Sequence, residues 1–484
     1  MIIGKRNAFT LISLSLLLLS LSFNAKGTVG ASPSHEHTAS TSTFSNPINT
    51  AGADPYAMLH SDGYYYFTRT LGHRIDIWKS RTLTGMDLAE RKTIWTKPEN
   101  LSDIWAPEIH HINGKWYIYY TANTGCGDDC RGNYVLENSA ADPLQGEWIE
   151  KGKINTQYAG LDGTAFEHNG QLYFMYAAYG DWSGEHGSAI AIAPMSNPWT
   201  LIGENVILTY PEYDWEKQGM HVNEGAVILK RNGKIFLVYS GSACWEDGYA
   251  IGMLTASENS NLLDPDSWTK SAEPVFEKSV ENGVYGPGHN SFVQSKDGSE
   301  DWIVYHGNSA PNQGCGARPT RVQKFTWNND GSPDFGVPLV GPIEVPSGEY
   351  QIEAEHGQVS QSKVRDREDA SNQKTVSLTN PNSTLLIEDV NVPEAGTYTM
   401  TVTYSSVATP DATNYVSVNG DEPKKLNYPI RERNISIKFP WRLISRKDIT
   451  IPLNLRTKSV LSKSIILKFP VMSRSRSNPA KSIN

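Results

Sequence analysis

The sequence predicts an all-β protein whose first three hundred or so residues form a five-bladed β-propeller. Three observations predict it. A glycine turn followed by aromatic and aliphatic residues recurs along the chain from Gly63 to Gly298. The composition, with 23 Tyr, 13 Trp, 40 Gly and 27 Pro in 484 residues, suits short strands and many turns. No helical period of useful length interrupts the repeats.

The N-terminus comes first. Lys5 and Arg6 precede an apolar run from Phe9 to Phe23, and small residues follow, which is the pattern of an export signal. Val29 and Ala31 occupy the small-residue positions, so cleavage is expected after Ala31 and the mature chain is expected to be secreted. Residues 32–44, "SPSHEHTASTSTF", read as a Ser/Thr-rich linker without a core pattern.

The repeats then occupy residues 45–346. They read "DGYYYFTRT" at Gly63, "NGKWYIYYTA" at Gly114, "NGQLYFMYAA" at Gly170, "NGKIFLVYSG" at Gly233 and a degenerate "KDGSEDWIVYHG" at Gly298. Asn-Gly or Asp-Gly ahead of such a run is a strong hairpin signal. In the clearer copies a further strand follows: "RIDIWKS", "NYVLENS", "SAIAIAP" and "YAIGMLTA". Turn glycines 51, 56, 63 and 65 residues apart leave room for four short antiparallel strands per unit. Five such units predict five blades. A β-sandwich also alternates, but without this nearly even recurrence.

In a blade, the segment ahead of the first hairpin is the innermost strand. Nine residues before the turn glycine stand Asp54, Trp105, Glu224 and His289, and eight before Gly170 stands Asp162. Each alone has an ordinary explanation. Asp54 before Pro55 and Asp162 before Gly163 are turn residues; Glu224 suits a solvated position, Trp105 a core and His289 a structural hydrogen bond. Independent turn and core residues do not explain acids at one register of a repeat. Three carboxylates converging on one axis are costly to bury without a task. Two flanking carboxyls suffice to hydrolyse a glycosidic bond: one protonates the leaving oxygen and the other activates water. A third raises the acid's pKa and orients it.

The formal net charge is −9 and no basic patch lies in the first 350 residues, which argues against a nucleic-acid partner. No second stretch is long and apolar enough to span a bilayer, so no membrane association is expected once the signal is removed. Cys126, Cys130, Cys244 and Cys315 form an even set in an exported chain, which points to disulfides. Cys126 and Cys130 suit a small loop and Cys244 and Cys315 a long-range bridge, but four cysteines allow three connectivities. No His lies at zinc-ligand spacing near "CGDDC".

At these residues the chain resembles a known family. "GADPYAM", "WAPEIHHINGKWYIYYTA", "LDGTAF", "NEGAVILKRNGKIFLVYSG" and "GPGHNSF" are similar to glycoside hydrolase family 43, in the family order, over about residues 45–345. The resemblance implies a five-bladed propeller and an inverting mechanism. It implies Asp54 as general base, Asp162 as pKa modulator and orienter, and Glu224 as general acid. It places His289 near an axial metal, usually calcium, held largely through water. It assigns Trp105 to the sugar pocket and Arg318, in "GARPTRVQKFTW", to the sugar, with Arg321 as the alternative. The chemistry itself needs no cofactor. "HVNEGAVILK", "SGSACWEDGYAIGMLTA" and "GCGARPTRVQKFTWNNDGSPDFGVP" look most like the exo-acting α-1,5-L-arabinofuranosidases. A plant cell-wall polysaccharide substrate and a monomeric enzyme are the corresponding expectations, with β-xylosidase, endo-arabinanase and a non-catalytic propeller lectin as alternatives.

Residues 347–484 change character. "PSGEYQIEAEHGQVSQ", "EDVNVPEAGTYTMTVTYSS" and "NYVSVNGDEPKK" resemble a family 6 carbohydrate-binding module, a β-sandwich of jelly-roll type. That resemblance makes Glu353 and Glu355, on its first strand, ligands of a structural calcium. After about Pro423 the pattern decays, and residues 421–484 carry 15 Lys/Arg against 4 Asp/Glu. The module is therefore expected to be incomplete.

Overall fold

The computed structural model of the chain describes residues 43–349 apart from 87–88, and separate segments between 354 and 452. The expected export signal and most of the expected linker lie outside the described residues. Helix among the described residues is confined to single 3-10 turns such as Asp128–Cys130 and Asp214–Glu216. None is long and apolar enough to cross a membrane.

Strand β1 (Thr43–Phe44) is followed by five antiparallel sheets in chain order, of which the third and fourth are continuous through a short parallel pairing of Gly187 and Ser188 with His221 and Val222. The first contains β2 (Tyr56–Leu59), β3 (Tyr65–Thr68), β4 (Arg74–Ser80) and β5 (Glu90–Thr96). The second contains β6 (Ser102–Ile112), β7 (Lys115–Asn123), β8 (Arg131–Asn138) and β9 (Ile149–Lys153). In the third, β10 (Gly160–His168), β11 (Gln171–Gly180) and β12 (Gly187–Asn197) are edged by β13 (Thr200–Leu201) and β14 (Val206–Thr209). The fourth contains β15 (His221–Arg231), β16 (Lys234–Gly241), β17 (Ala250–Ser257) and β18 (Thr269–Lys270). The fifth contains β19 (Tyr285–Gln294), β20 (Asp301–Asn308), β21 (Thr320–Trp327) and β22 (Pro333–Asp334). Strand β23 (Ile343–Glu344) pairs with β1, so Thr43 and Phe44 belong to the strand structure rather than to the linker.

The turns follow their dipeptides. Asn113-Gly114, Asn169-Gly170 and Asn232-Gly233 hold both residues at positive φ, as a two-residue hairpin turn requires. Asp62-Gly63 has positive φ only at the glycine.

Packing explains why the strands read as apolar runs. Alternate residues of each second strand face opposite neighbouring sheets. On β7, Trp116, Ile118 and Tyr120 pack toward the first sheet, and Tyr117 and Tyr119 toward the third. On β16, Ile235, Leu237 and Tyr239 face the third sheet, and Phe236 and Val238 the fifth. On β20, Ile303 and Tyr305 join the fourth sheet, whereas Trp302 and Val304 pack on Tyr65, Phe67 and Trp78 of the first. Five clusters thus link successive sheets, and the fifth returns to the first. The first strands touch in the same cyclic order, β2 to β6, β10, β15, β19 and back to β2.

Beyond residue 349 the described strands are antiparallel. Thr384–Ile387 lies between Gln358–Ser360 and Ile449–Pro452, and Gly396–Thr403 pairs with Asn434–Trp441. Two of these strands fall after Pro423, where the pattern was expected to decay. Ala354–His356 is a 3-10 turn, so Glu355 does not sit on a first strand as expected, and Glu353 lies outside the described residues.

Candidate active site

The first strands carry a repeated backbone irregularity that builds the site. In β6, β10, β15 and β19 the register against the second strand slips by a bulge, at Ala106-Pro107, Asp162-Gly163, Gly225-Ala226 and His289-Asn290. The first residue of each bulge has positive φ, and Asp54, ahead of β2, matches them: 53° at Asp54, 42° at Ala106, 54° at Asp162, 58° at Gly225 and 47° at His289. Asp, His and Gly tolerate this conformation better than most residues; Ala106 is the exception. The bulges re-aim side chains toward the axis. Counting back from the turn glycines is therefore wrong by one residue in two units. By conformation it is Ala106 and Gly225, not Trp105 and Glu224, that match Asp54, Asp162 and His289. Glu224 and Trp105 sit one residue earlier and reach their positions by a different route.

Asp54, Asp162 and His289 are buried, and Glu224 keeps partial access to solvent. They meet. His289 Nδ1 lies 3.5 Å from Asp54 Oδ1 and 3.8 Å from Asp162 Oδ2. Ligand atoms of Asp162, Glu224 and His289 lie within 4.8 Å of one another. Arg318 joins them, its Nη1 2.6 Å from Asp54 Oδ1. Thr70 donates its hydroxyl to Asp54 Oδ2 at 2.6 Å and accepts from the Ala106 amide at 2.7 Å, tying the first two sheets together at the base. Asp162 donates its amide to Thr121 Oγ1 at 2.9 Å, and Tyr249 donates its hydroxyl to Glu224 Oε1 at 2.8 Å.

These partners divide the carboxyls. Burial works against a charge on Asp54, but Arg318, His289, His306 and the Thr70 hydroxyl override it and hold its pKa well below the usual carboxylate range. Burial acts the other way on Asp162, reinforced by the charges of Glu224, Asp54 and Glu108, and pushes it well up. Glu224 is pushed up to about 7, first by burial and then by Asp54, against the Tyr249 hydrogen bond and Arg318. Burial lowers the pKa of both His289 and His306, against the pull of Asp54. Asp54 is thus favoured in its ionised form, and Asp162 and Glu224 in their protonated forms.

Three contributors, each inside a repeat or family-like segment, had no role assigned from the sequence. His306, at the end of "WIVYHG", accepts the Asp54 amide on Nδ1 at 3.2 Å. Tyr249 stacks on His306, with centroids 5.5 Å apart and planes 12° apart. Glu108 pairs with His110 at 2.9 Å and adds charge beside Asp162. The cross-strand pairing of Gly288 with His306 is the only signal that leads to the second histidine, and it needs the register.

Two expected sugar contacts differ. The Arg131 guanidinium lies 4.0 Å from the Trp105 ring centroid, so this half-buried indole is partly engaged by a cation. Arg321 does not join the acids. It points from β21 into the fifth sheet, donating Nε to Gly307 O at 2.9 Å and Nη2 to Ser309 Oγ at 2.7 Å. Three positions before it, Arg318 sits on the loop rather than the strand, which is why only Arg318 reaches the axis.

Both disulfides, Cys126–Cys130 and Cys244–Cys315, lie at this end of the molecule. The loops between second and third strands, residues 69–73, 124–130, 181–186, 242–249 and 309–319, all emerge here, because each second strand runs back toward the acid-bearing start of its first.

Comparison with known proteins agrees with this geometry. Residues 44–333 match the profile of glycosyl hydrolases family 43. The extracellular exo-α-(1→5)-L-arabinofuranosidase of Streptomyces avermitilis is 41% identical over 362 residues, covering 71% of this chain and 72% of that protein. The protein of the same name from Streptomyces chartreusis is 43% identical over 291 residues, covering 58% of this chain and 88% of that one. The crystal structure of an α-L-arabinofuranosidase from Lactobacillus brevis aligns with TM-score 0.59 and 42% identity over 61% of this chain and 97% of its own. The chain belongs to glycosyl hydrolases family 43.

Proposed function

We propose that the protein is a secreted exo-acting glycosidase that removes terminal α-L-arabinofuranosyl residues from arabinan or arabinose-bearing hemicellulose with inversion. The observation that carries this reading is the convergence of Asp54, Asp162 and Glu224 around His289, with Arg318 on Asp54, Tyr249 on Glu224 and the pKa values of those two carboxyls shifted in opposite directions. Glu224 gives its proton to the glycosidic oxygen as the C1–O bond breaks. Asp54 takes a proton from the water that attacks C1 from the other face. Arg318 holds Asp54 in place and ionised, and Asp162 holds proton density beside the acid. Relatives at 41% and 43% identity that are named for exo-arabinofuranosidase activity support the substrate, and their extracellular names support secretion.

The five cyclically packed sheets are read as the blades of one propeller, and the antiparallel strands after residue 354 as a β-sandwich of the carbohydrate-binding kind. An axial calcium fits the donor set in part. Asp162, Glu224 and His289 offer two oxygens and a nitrogen, while calcium takes six to eight ligands, mostly oxygen. His289 is the donor free of a proton-transfer role and would hold the ion largely through water, which would supply positive charge that fixes nearby carboxyls. In the module Glu355, with Glu353, would serve a second calcium. The proton transfers need neither ion.

A product assay tests the function. Purified enzyme is given linear arabinan and the aryl glycosides of arabinose, xylose and galactose. Release of single arabinose units is expected. Release of xylose alone, of oligomers alone, or of nothing overturns the reading in favour of a xylosidase, an endo-arabinanase or a lectin.

A further inference from the structure

Nine large apolar side chains are exposed among the described residues, and Trp245, at 49% exposure, is the one on a loop between second and third strands at the acid end. A single exposed apolar residue is ordinary. The construction around this one is not. Its loop, residues 242–249, is held on three sides. Ser242 and Ala243 donate their amides to Val222 O and Gln218 O, at 3.1 and 3.0 Å. Asp247 accepts the Asn312 amide on Oδ1 at 2.9 Å, and its carbonyl accepts the Gly286 amide at 3.1 Å. Cys244 is bridged to Cys315. The side chain lies against two glycines, one at the indole and one at its Cβ. A Cβ on Gly219 would stand 2.8 Å from its Nε1, and one on Gly314 would stand 4.0 Å from its Cβ. Both glycines have positive φ, at 73° and 61°. A wide aromatic face is therefore fixed outward on a rigid mount.

The mount connects to both catalytic carboxyls. Four residues after Trp245, Tyr249 hydrogen-bonds Glu224. Across the disulfide, the Cys315 carbonyl accepts Arg318 Nε at 3.1 Å, and Arg318 clamps Asp54. The acid protonates the leaving oxygen, so the departing sugar lies on the Glu224 side of the pocket, which is the side of this loop. Sugars offer their C–H faces to exposed, rigid aromatic rings, and such contacts add to area burial.

We propose that Trp245 is the stacking platform for the leaving-group sugar, a specificity-determining residue for substrates whose leaving group is itself a ring. The proposal rests on the exo-arabinofuranosidase reading above. The test compares kcat/KM for α-1,5-L-arabinobiose, which has a sugar leaving group, with that for methyl α-L-arabinofuranoside, which has none. In Trp245→Ala the ratio of the two is expected to fall about tenfold from wild type, the scale of one aromatic contact. Trp245→Phe is expected to recover most of the ratio. An unchanged ratio, whether both substrates lose activity equally or neither does, overturns the proposal. If the alanine variant does not fold, Trp245→Phe against Trp245→Gln makes the same comparison, and equal ratios overturn it. A wild type that cleaves neither compound sinks the functional reading instead.

Discussion

Asp54 and Glu224 carry the same functional group, and their surroundings shift its pKa in opposite directions. Asp54 is charged because Arg318 at 2.6 Å outweighs burial; Glu224 holds its proton because burial is offset only by one hydroxyl and a shared guanidinium. Asp54→Asn and Glu224→Gln should each lower kcat on an aryl arabinoside about 100- to 10,000-fold; near-wild-type turnover in either refutes its role. The pH profile follows from the signs. Glu224 must be protonated, so activity is present below about pH 7 and lost as pH rises through it. Asp54 must be ionised, so the acidic limb lies below the ordinary carboxylate range. The Tyr249 hydroxyl stabilises the ionised form of Glu224, so Tyr249→Phe should move the alkaline limb of kcat/KM upward; a limb that stays or falls contradicts it. Stability carries the same sign. A folded pKa above the unfolded value near 4.5 leaves its contribution intact at low pH and loses it as pH rises through about 7. The melting temperature of Glu224→Gln should therefore gain on wild type between pH 6 and pH 8, as scanning calorimetry at both values would record.

The unit that places these residues is a strand with a bulge near its start. Its positive-φ residue is Asp, Gly or His in four of the five sheets, where the chain needs either a carboxyl, an imidazole or no side chain at all. Gly225 needs none because a Cβ there would come 3.2 Å from His289 Nδ1. Gly225→Ala should cost about 1–2 kcal/mol from the backbone alone and displace His289, lowering both melting temperature and kcat. A variant that melts and turns over like wild type removes the bulge from the mechanism. This element also marks how far the sequence could be read. Hairpins were legible because Asn-Gly at residues 113, 169 and 232 declares its turn locally. The acids were legible because they recur at nearly constant distance from those turns. The bulge was not, because a one-residue slip leaves no residue type of its own: Ala106 sits in the same conformation as Asp162. His306 and Tyr249 were hidden for a related reason. They act through a cross-strand register and a ring stack between the fourth and fifth sheets, neither of which is a spacing along the chain.

At the scale of the molecule, five sheets that bury both faces have a closure problem: the fifth must find the first. The apolar part of the solution is the cluster joining Trp302 and Val304 to Tyr65, Phe67 and Trp78. The polar part lies in the short segment ahead of the first sheet, which crosses to the fifth and stays there. Asn46 is its main tie, 5% exposed. Its Nδ2 donates to Val322 O at 2.8 Å and to Leu339 O at 3.0 Å, and its Oδ1 accepts the Val322 amide at 3.0 Å. One side chain thus satisfies three backbone groups, the farthest of them 293 residues away along the chain. The Thr320 amide adds a backbone bond to Asn49 O at 2.9 Å, and β1 pairs with β23 alongside. Asn46→Ala strands those three groups in a buried site, which should cost about 2–3 kcal/mol and lower the melting temperature by about 3–5 °C for a domain of roughly 300 residues. The three axial acids are held by Thr70, Thr121, Arg318 and Tyr249, none of which hydrogen-bonds Asn46, so kcat per folded molecule at 25 °C should match wild type. A melting temperature within one degree of wild type would place the closure in the apolar cluster alone. A fall in kcat with stability intact would mean that the ring transmits strain from its seam to its axis.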